Sequence, residues 1–491
     1  MQFGMEDDRK RHCWECLRRS LVCDFTRPGC NRCAASGIDC PGYDERQPVR
    51  LKWLPPGKVK SRSRNGTDRQ QKGSMVKGSA SKPTDLVMPP HLEVDSELQV
   101  LVQAVEYYNT NIYPDFQPTH DLIPNKTYYP LSAMHFQMGL AMPDHVKLGI
   151  VCMALSHHGS RTSGNPDSTA LTTTFHRCRG KMIRSLIDAI HSEKGRTSDI
   201  AIAGMLTLLL AEVHHGTSSH WRLHLEGVRK LILMRGGAHS VIKSVGIAPL
   251  LSLFVFVTVM GDTTSPASDM AMTTSQVKDI YFLLEKYGSS PFAFQGCPAP
   301  VFAEIIKTSY LRLLASRHIS REKDLTQDAY AVLSRINTFS PEEWAETKPQ
   351  SKETWLLLGT IHQVAASIYC ISSLQSVSIL PRTTVLQRSR ATHSQILQAL
   401  LAEAIKSPPA KRFIFWALVV LGVEAVHGDD TMRTFVHESL AEMSRWLGTY
   451  APMTAIEALH RFWESGRMHW DTCFDRPYVF ATQLMANVGQ V

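Results

Sequence analysis

Over the last four-fifths of the chain, apolar residues recur at three- and four-residue intervals. That is the period of an α-helix, and clean two-residue alternation is nearly absent. Leu206, Leu209, Leu210 and Val213 mark one predicted helix, ending near Gly216. Leu223, Leu225, Val228, Leu231, Ile232 and Met234 mark the next, which Gly236-Gly237 stops after the basic Arg235. Together they predict an antiparallel helical pair. Met432, Phe435, Val436, Leu440, Met443 and Leu447 form another stripe near the C-terminus. Ile247 to Met260 is an apolar run of fourteen that contains Pro249. A membrane-spanning helix takes about twenty residues, so this run predicts a buried helix. Residues 91–491 thus read as a mostly helical body without a repeat that marks a solenoid. Val94, Leu98, Leu101, Val102, Val105 and Tyr108 have heptad-like spacing. They suit either a short pairing seam between two chains or, with Tyr107-Tyr108, a globular core.

The pattern fades towards the N-terminus. Residues 44–90 are rich in Pro, Gly, Ser and Lys and poor in large apolar groups, which predicts a basic, disordered linker. Lys58, Lys60, Arg62 and Arg64 alternate there with small residues and suit a DNA backbone, an import signal or a solvated linker. Leu51-Lys52-Trp53-Leu54-Pro55 is a small apolar interruption, a candidate to pack back on the segment before it.

That preceding segment, residues 9–43, is organised by sulfur. Six of the eleven cysteines run Cys13-x2-Cys16-x6-Cys23-x6-Cys30-x2-Cys33-x6-Cys40, one half-motif written twice. Zinc takes four ligands in a tetrahedron. Six thiolates therefore fill the eight positions of two Zn2+ ions if two sulfurs bridge. Cys13 and Cys30, the first of each half, are the natural bridges, with Cys16, Cys23, Cys33 and Cys40 terminal. The x2 spacing suits two ligands at the start of a helical turn, and x6 carries the chain through a short helix and back. Pro28-Gly29 joins the halves and Pro41-Gly42 ends the module. The opening MQFGMEDDRKRH lacks the apolar core of a signal peptide, which argues against a disulfide framework. The other five cysteines are scattered, as small core hydrophobes are.

Charge adds a partner. Residues 1–90 hold 18 Lys and Arg against 10 Asp and Glu, whereas the whole chain holds 53 against 45. The entire formal excess of +8 therefore sits in the first fifth of the chain. Six thiolates with two Zn2+ add about −2, and the segment stays basic, as attraction to phosphate requires. Double-stranded DNA is the expected partner. Arg18 and Arg19 are adjacent on the first short helix and diverge by about 100°. One is expected to read a base edge through its two-donor fork and the other to hold a phosphate. Arg9, Lys10, Arg11 and Arg32 are further phosphate candidates, and Arg9-Lys10-Arg11 also suits nuclear import.

The six-cysteine segment resembles the fungal binuclear zinc cluster of Zn2Cys6 transcription factors. The resemblance implies bridging by Cys13 and Cys30, a DNA-reading helix in the Cys16–Cys23 half, and recognition of CGG-like triplets, with Arg19 at a base-contacting position. Ser20, where the family often has lysine, departs from that pattern. The body resembles the fungal-specific transcription factor domain 2, through Trp221-x2-His224-Leu225-x-Gly227-x5-Leu233-x-Arg235-Gly236-Gly237 and Leu459-His460-Arg461-Phe462-Trp463-Glu464. That domain is regulatory, and some of its members sense small effectors.

Enzyme motifs are missing: no G-x4-G-K-[ST] loop, no G-x-G-x2-G opening a strand–helix unit, no G-x-S-x-G elbow. The pairs His157-His158 and His214-His215 diverge on a helix. His220 and His224 share a face but lack an acidic partner between them. No enzyme is expected. The expected fold is a small Zn2Cys6 binuclear cluster module (9–43), a basic disordered linker (44–90) and a large all-α regulatory domain (91–491). The expected function is a nuclear, zinc-dependent, sequence-specific regulator of RNA polymerase II genes in a fungus, reading a CGG-like or related GC-rich element. A homodimer, a transcription cofactor partner and a small-molecule effector are candidate partners, and no membrane is expected. The alternatives are a protein-interaction or corepressor module that docks through the zinc cluster, and a redox or metal sensor using the same sulfurs.

Overall fold

The computed structural model describes residues 13–19, 22–43, 97–122, 129–162, 168–216, 220–288, 294, 296–318 and 322–481. Arg9, Lys10, Arg11, Ser20, Leu21, the 44–90 linker with its basic and apolar motifs, and Val94 lie outside them. The chain divides into two compact units, Met1–Leu86 and Val87–Val491.

In the first unit, two five-residue helices, Trp14–Arg18 and Asn31–Ala35, each begin just after the first cysteine of a half-motif. Cys30 caps its helix by accepting from the Cys33 N–H, and the Cys16 N–H donates to Cys13 Sγ in the matching place. The buried apolar centre of this unit is cysteine, with Tyr43 packed against it. Helices this short do not persist in water by themselves, so the sulfurs must be tied together for the unit to hold its shape.

The second unit contains helices and no strand among the described residues. Its axis is the helix Lys352–Ser376, which packs against Ala299–Ser316, Glu322–Thr338, Pro341–Glu346, Thr384–Lys406, Phe415–Glu424 and Trp470–Cys473. This helix is long and apolar enough to cross a membrane, but 72% of its most apolar stretch is buried inside the fold. It is a core helix. The predicted antiparallel pair is Asp199–His215 and Trp221–Met234. Ser198 caps the first by accepting from the Ala201 N–H, and Gly216 ends it at φ 77°. A Cβ at Gly216 would lie 2.3 Å from the Ala451 nitrogen, so both its backbone angle and its surroundings call for glycine. An Arg235–Asp199 ion pair ties the end of the second helix to the start of the first. The apolar run forms Ala248–Thr263 with Pro249 in its first turn, where its missing N–H costs nothing. The C-terminal stripe lies on Asp430–Leu447 and buries Met432, Val436, Leu440, Met443 and Leu447.

The heptad-like stretch follows the core reading. In the helix Glu97–Tyr107, Leu101 faces the body, and Tyr108 is buried just after it. Leu98 and Val102 face outwards. Among the described residues the stripe is split between two environments, Leu101 and Tyr108 inwards and Leu98 and Val102 outwards.

A polar knot joins distant parts of this core. Arg312, fully buried, donates to the Asp262 carbonyl (2.9 Å), Tyr369 OH (3.1 Å), the Ser265 carbonyl (2.8 Å) and Asp471 Oδ1 (2.7 Å). The Asp262 carboxylate accepts from the N–H groups of Ala271 and Met272 (2.9 Å to the latter). Burial nonetheless pushes the Asp262 carboxyl up to about 6. Trp470 donates to the Thr263 carbonyl, and Tyr478 and Thr264 bond reciprocally, so the last described segment is sewn into the core.

Candidate metal centre and DNA interface

The two helix starts bring the six sulfurs to one point. The Sγ atoms of Cys13, Cys16, Cys23 and Cys30 lie within 4.8 Å of one another, and so do those of Cys13, Cys30, Cys33 and Cys40. Cys13 and Cys30 belong to both groups. Their sulfurs are 3.5 Å apart, and Cys13–Cys33 and Cys16–Cys30 are both 3.7 Å. A tetrahedron of Zn–S bonds near 2.3 Å has S···S edges of about 3.8 Å, so the donor set fits zinc. Without a cation, burial pushes the Cys13, Cys16 and Cys33 thiols up, Cys33 to about 12. Cys23 goes the other way, to about 6, because backbone and Tyr43 hydrogen bonds outweigh its burial. Holding all six together as thiolates therefore requires positive charge at their centre.

Several residues outside the ligand set shape this unit. Tyr43 donates to the Thr26 carbonyl (2.9 Å), and its hydroxyl lies 3.5 Å from Cys23 Sγ. Arg27 stacks over the Tyr43 ring at 5.2 Å. Asp24 accepts from Thr26 Oγ1 (2.9 Å) and from the Asn31 N–H (3.0 Å), which fixes the entry to the second helix. Gly29 comes so close to Cys40 that a Cβ would lie 3.1 Å from the Cys40 Cβ. The Trp14 N–H donates to the Gly42 carbonyl (3.3 Å) and closes the two ends. Sequence reasoning gave Tyr43 and Asp24 no role. Their one legible signal was position, directly after a ligand or a few residues beyond the last.

Of the proposed contact residues, Arg19 follows the first helix, continues its hydrogen-bond pattern to the Glu15 carbonyl and is exposed. Arg32 is exposed on the second helix. Arg18 ends the first helix, and its side chain is outside the described part.

Residues 11–50 match the fungal Zn(2)-Cys(6) binuclear cluster domain, and residues 103–481 match the fungal specific transcription factor domain. The chain is 41% identical over 500 residues to the phomenoic acid biosynthesis cluster-specific transcriptional regulator of Leptosphaeria maculans, covering 99% of this chain and 92% of that one. The chain belongs to the fungal Zn(2)-Cys(6) transcription factors. A shorter similarity, 41% identity over 44 residues, links it to arginine metabolism regulation protein II of Saccharomyces cerevisiae, covering 9% of this chain and 4% of that one. No solved structure matches. This zinc-cluster factor is thus a zinc-binding transcriptional regulator with DNA as its partner, of a family that works in the nucleus.

In the body of this factor, members of the histidine pairs contact aromatic and acidic neighbours. Among the described residues, no group of three or more His, Cys, Asp or Glu side chains outside the cysteine cluster converges on a metal position. His157 Nδ1 bonds the Tyr107 hydroxyl (3.0 Å), and His215 stacks on Phe175 (4.5 Å). His224 sits 3.9 Å from Glu212, which is already paired with Arg179.

Proposed function

We propose that this zinc-cluster factor holds two Zn2+ ions, bridged by Cys13 and Cys30, with Cys16, Cys23, Cys33 and Cys40 as terminal ligands. The resulting module, residues 9–43, reads a CGG-like or related GC-rich element upstream of RNA polymerase II genes in the nucleus. The linker 44–90 joins it to a regulatory body, 91–491. Arg19 is the base reader. Arg18, Arg9, Lys10, Arg11 and Arg32 neutralise phosphates. The similarity to a biosynthesis cluster-specific regulator over nearly the whole chain supports a set of clustered biosynthetic genes as the target.

The observation that carries this reading is the pair of sulfur tetrads with Cys13 and Cys30 in common. A shared sulfur makes each metal depend on the other. Elemental analysis of the full chain is expected to return two zincs. Cys13→Ser or Cys30→Ser should lose both ions, whereas Cys16→Ser should disturb chiefly one. For DNA, Arg19→Ala is titrated against a duplex selected from a random library and against its scrambled counterpart. Loss of about 1–3 kcal/mol on the matched duplex alone supports base reading. Equal losses on both refute it.

A further inference from the structure

The helices Asp430–Leu447 and Ala451–Glu464 pack against each other across the short turn that begins at Gly448. Each supplies one histidine to a common point. His437 Nδ1 lies 3.0 Å from His460 Nε2, with the ring centroids 5.0 Å apart and the planes tilted by 47°. The rings therefore meet at their nitrogen edges and do not stack. Both side chains are part-buried, which leaves the meeting point within reach of solvent. His460 belongs to the motif Leu459-His460-Arg461-Phe462-Trp463-Glu464. Leu459 and Phe462 of that motif serve the core, and Arg461 bonds the Tyr478 hydroxyl. The histidine turns instead to His437 and to Trp463, 5.1 Å away between ring centroids.

Two imidazoles this close share either a proton, in an N–H···N bond, or a metal ion. Their spacing bears on which ion. With metal–nitrogen bonds of about 2.1 Å, two ligands at right angles sit about 3.0 Å apart, and two tetrahedral ligands about 3.4 Å. The observed spacing is the right-angled one. Tetragonal Cu2+ and Ni2+ hold nitrogen ligands at right angles, whereas zinc favours the wider angle. We propose that His437 and His460 form a second metal site, which takes one divalent ion of the Ni2+ or Cu2+ kind with water in its remaining positions. The surrounding charges leave room for a cation. Glu457 and Glu464, three residues before His460 and four after it, share its side of the helix and are exposed. Arg433, one turn before His437, is engaged with the Ala425 carbonyl (3.1 Å) and Asp430 (3.5 Å). Arg461 is engaged with Tyr478 (2.7 Å) and Asp475 (3.4 Å). The ion clamps two helices whose connecting turn is itself fastened to the body. Thr449 donates to the His214 carbonyl, and Tyr450 to the Gly159 carbonyl (3.0 Å). Metal occupancy thereby braces the regulatory body at a place separate from the sulfur cluster.

The test uses the zinc-loaded full chain and Ni2+, which suits imidazole ligands and does not oxidise thiolates. Equilibrium dialysis should show one nickel per chain as the tightest step, with zinc content unchanged. With nickel about a hundredfold above its Kd, the melting temperature of the body should rise by about 3 °C. His437→Gln and His460→Gln should each abolish that nickel and that rise while remaining folded by circular dichroism. His191→Gln, at an exposed histidine elsewhere, should change neither. Hydrogen exchange on the unaltered chain needs no variant. There nickel should slow exchange in Asp430–Leu447 and Ala451–Glu464, and this pattern decides the matter if a variant fails to fold. A chain that takes up no nickel overturns the proposal, as does nickel gained only in exchange for zinc. Tight binding that survives both substitutions overturns it too. So does exchange that slows only outside these two helices, which would leave the pair as a hydrogen bond.

Discussion

Acid should loosen the helical body above the ordinary carboxylate range, through two buried histidines. Burial lowers His214 to about 3, helped by nearby His157, His215 and Arg412, and lowers His362 to about 4 despite its bond to the Leu358 carbonyl. In the unfolded chain each titrates near 6.5. As pH falls through that value the unfolded state takes up protons that the folded state refuses, so stability falls with pH. At pH 5 each residue is 1.5 units below its unfolded value, a cost of about 2 kcal/mol at about 1.36 kcal/mol per unit. The pair costs about 4 kcal/mol, a large share of a typical stability of about 5–15 kcal/mol. Asp262 works in the opposite direction. Its folded value near 6 keeps a proton that the unfolded chain has lost, which returns about 1 kcal/mol at pH 5. The assay is urea unfolding followed by far-UV circular dichroism between pH 8 and pH 5, on the parent chain and on His214→Gln/His362→Gln. The difference between the two chains cancels every other titrating group. The double variant should lose about 4 kcal/mol of pH dependence across that window, with no change in pH dependence above about pH 7.5. Parallel curves for the two proteins would refute the assignment.

Two further outcomes follow from the core and the metal centre. Arg312→Met should destabilise the body by about 3–5 kcal/mol in urea unfolding, because it strands Asp471 and two buried carbonyls that Arg312 now satisfies. Gly29→Ala should raise the apparent zinc dissociation constant by about tenfold in chelator competition, because the added Cβ, 3.1 Å from that of Cys40, shifts a ligand.

The parts of the fold legible in the sequence were those where one periodic feature dominates. Leu206, Leu209 and Val213 show their helix because their buried stripe meets Gly216, which permits one backbone conformation that others avoid. The cysteine spacing was legible for a related reason: ligand count and tetrahedral geometry leave few solutions. The central helix Lys352–Ser376 gave no stripe, because neighbours surround its second half, where Ser367, Tyr369, Cys370, Ser372, Ser373 and Leu374 are buried alike. Periodicity needs a solvent side to contrast with. The Asp262–Arg312–Asp471 knot was invisible because its members are 50 and 159 residues apart along the chain and have no local signature. The heptad-like stretch left two readings open. Leu101 and Val102 look equivalent in sequence, and only the packed body decides that one turns inwards and the other outwards.

The stretch Trp470–Ala481, whose aromatic side chains are buried and which Thr263, Thr264 and Arg312 hold, is synthesised after every helix it packs against. Until it emerges, the groove that receives it stands open and the central helix lacks one of its walls. The body therefore cannot finish folding before this stretch is made, while the zinc unit, synthesised earlier, can take up metal in the meantime. A premature stop before Trp470 would leave a regulator whose zinc unit is made and whose helical body never closes.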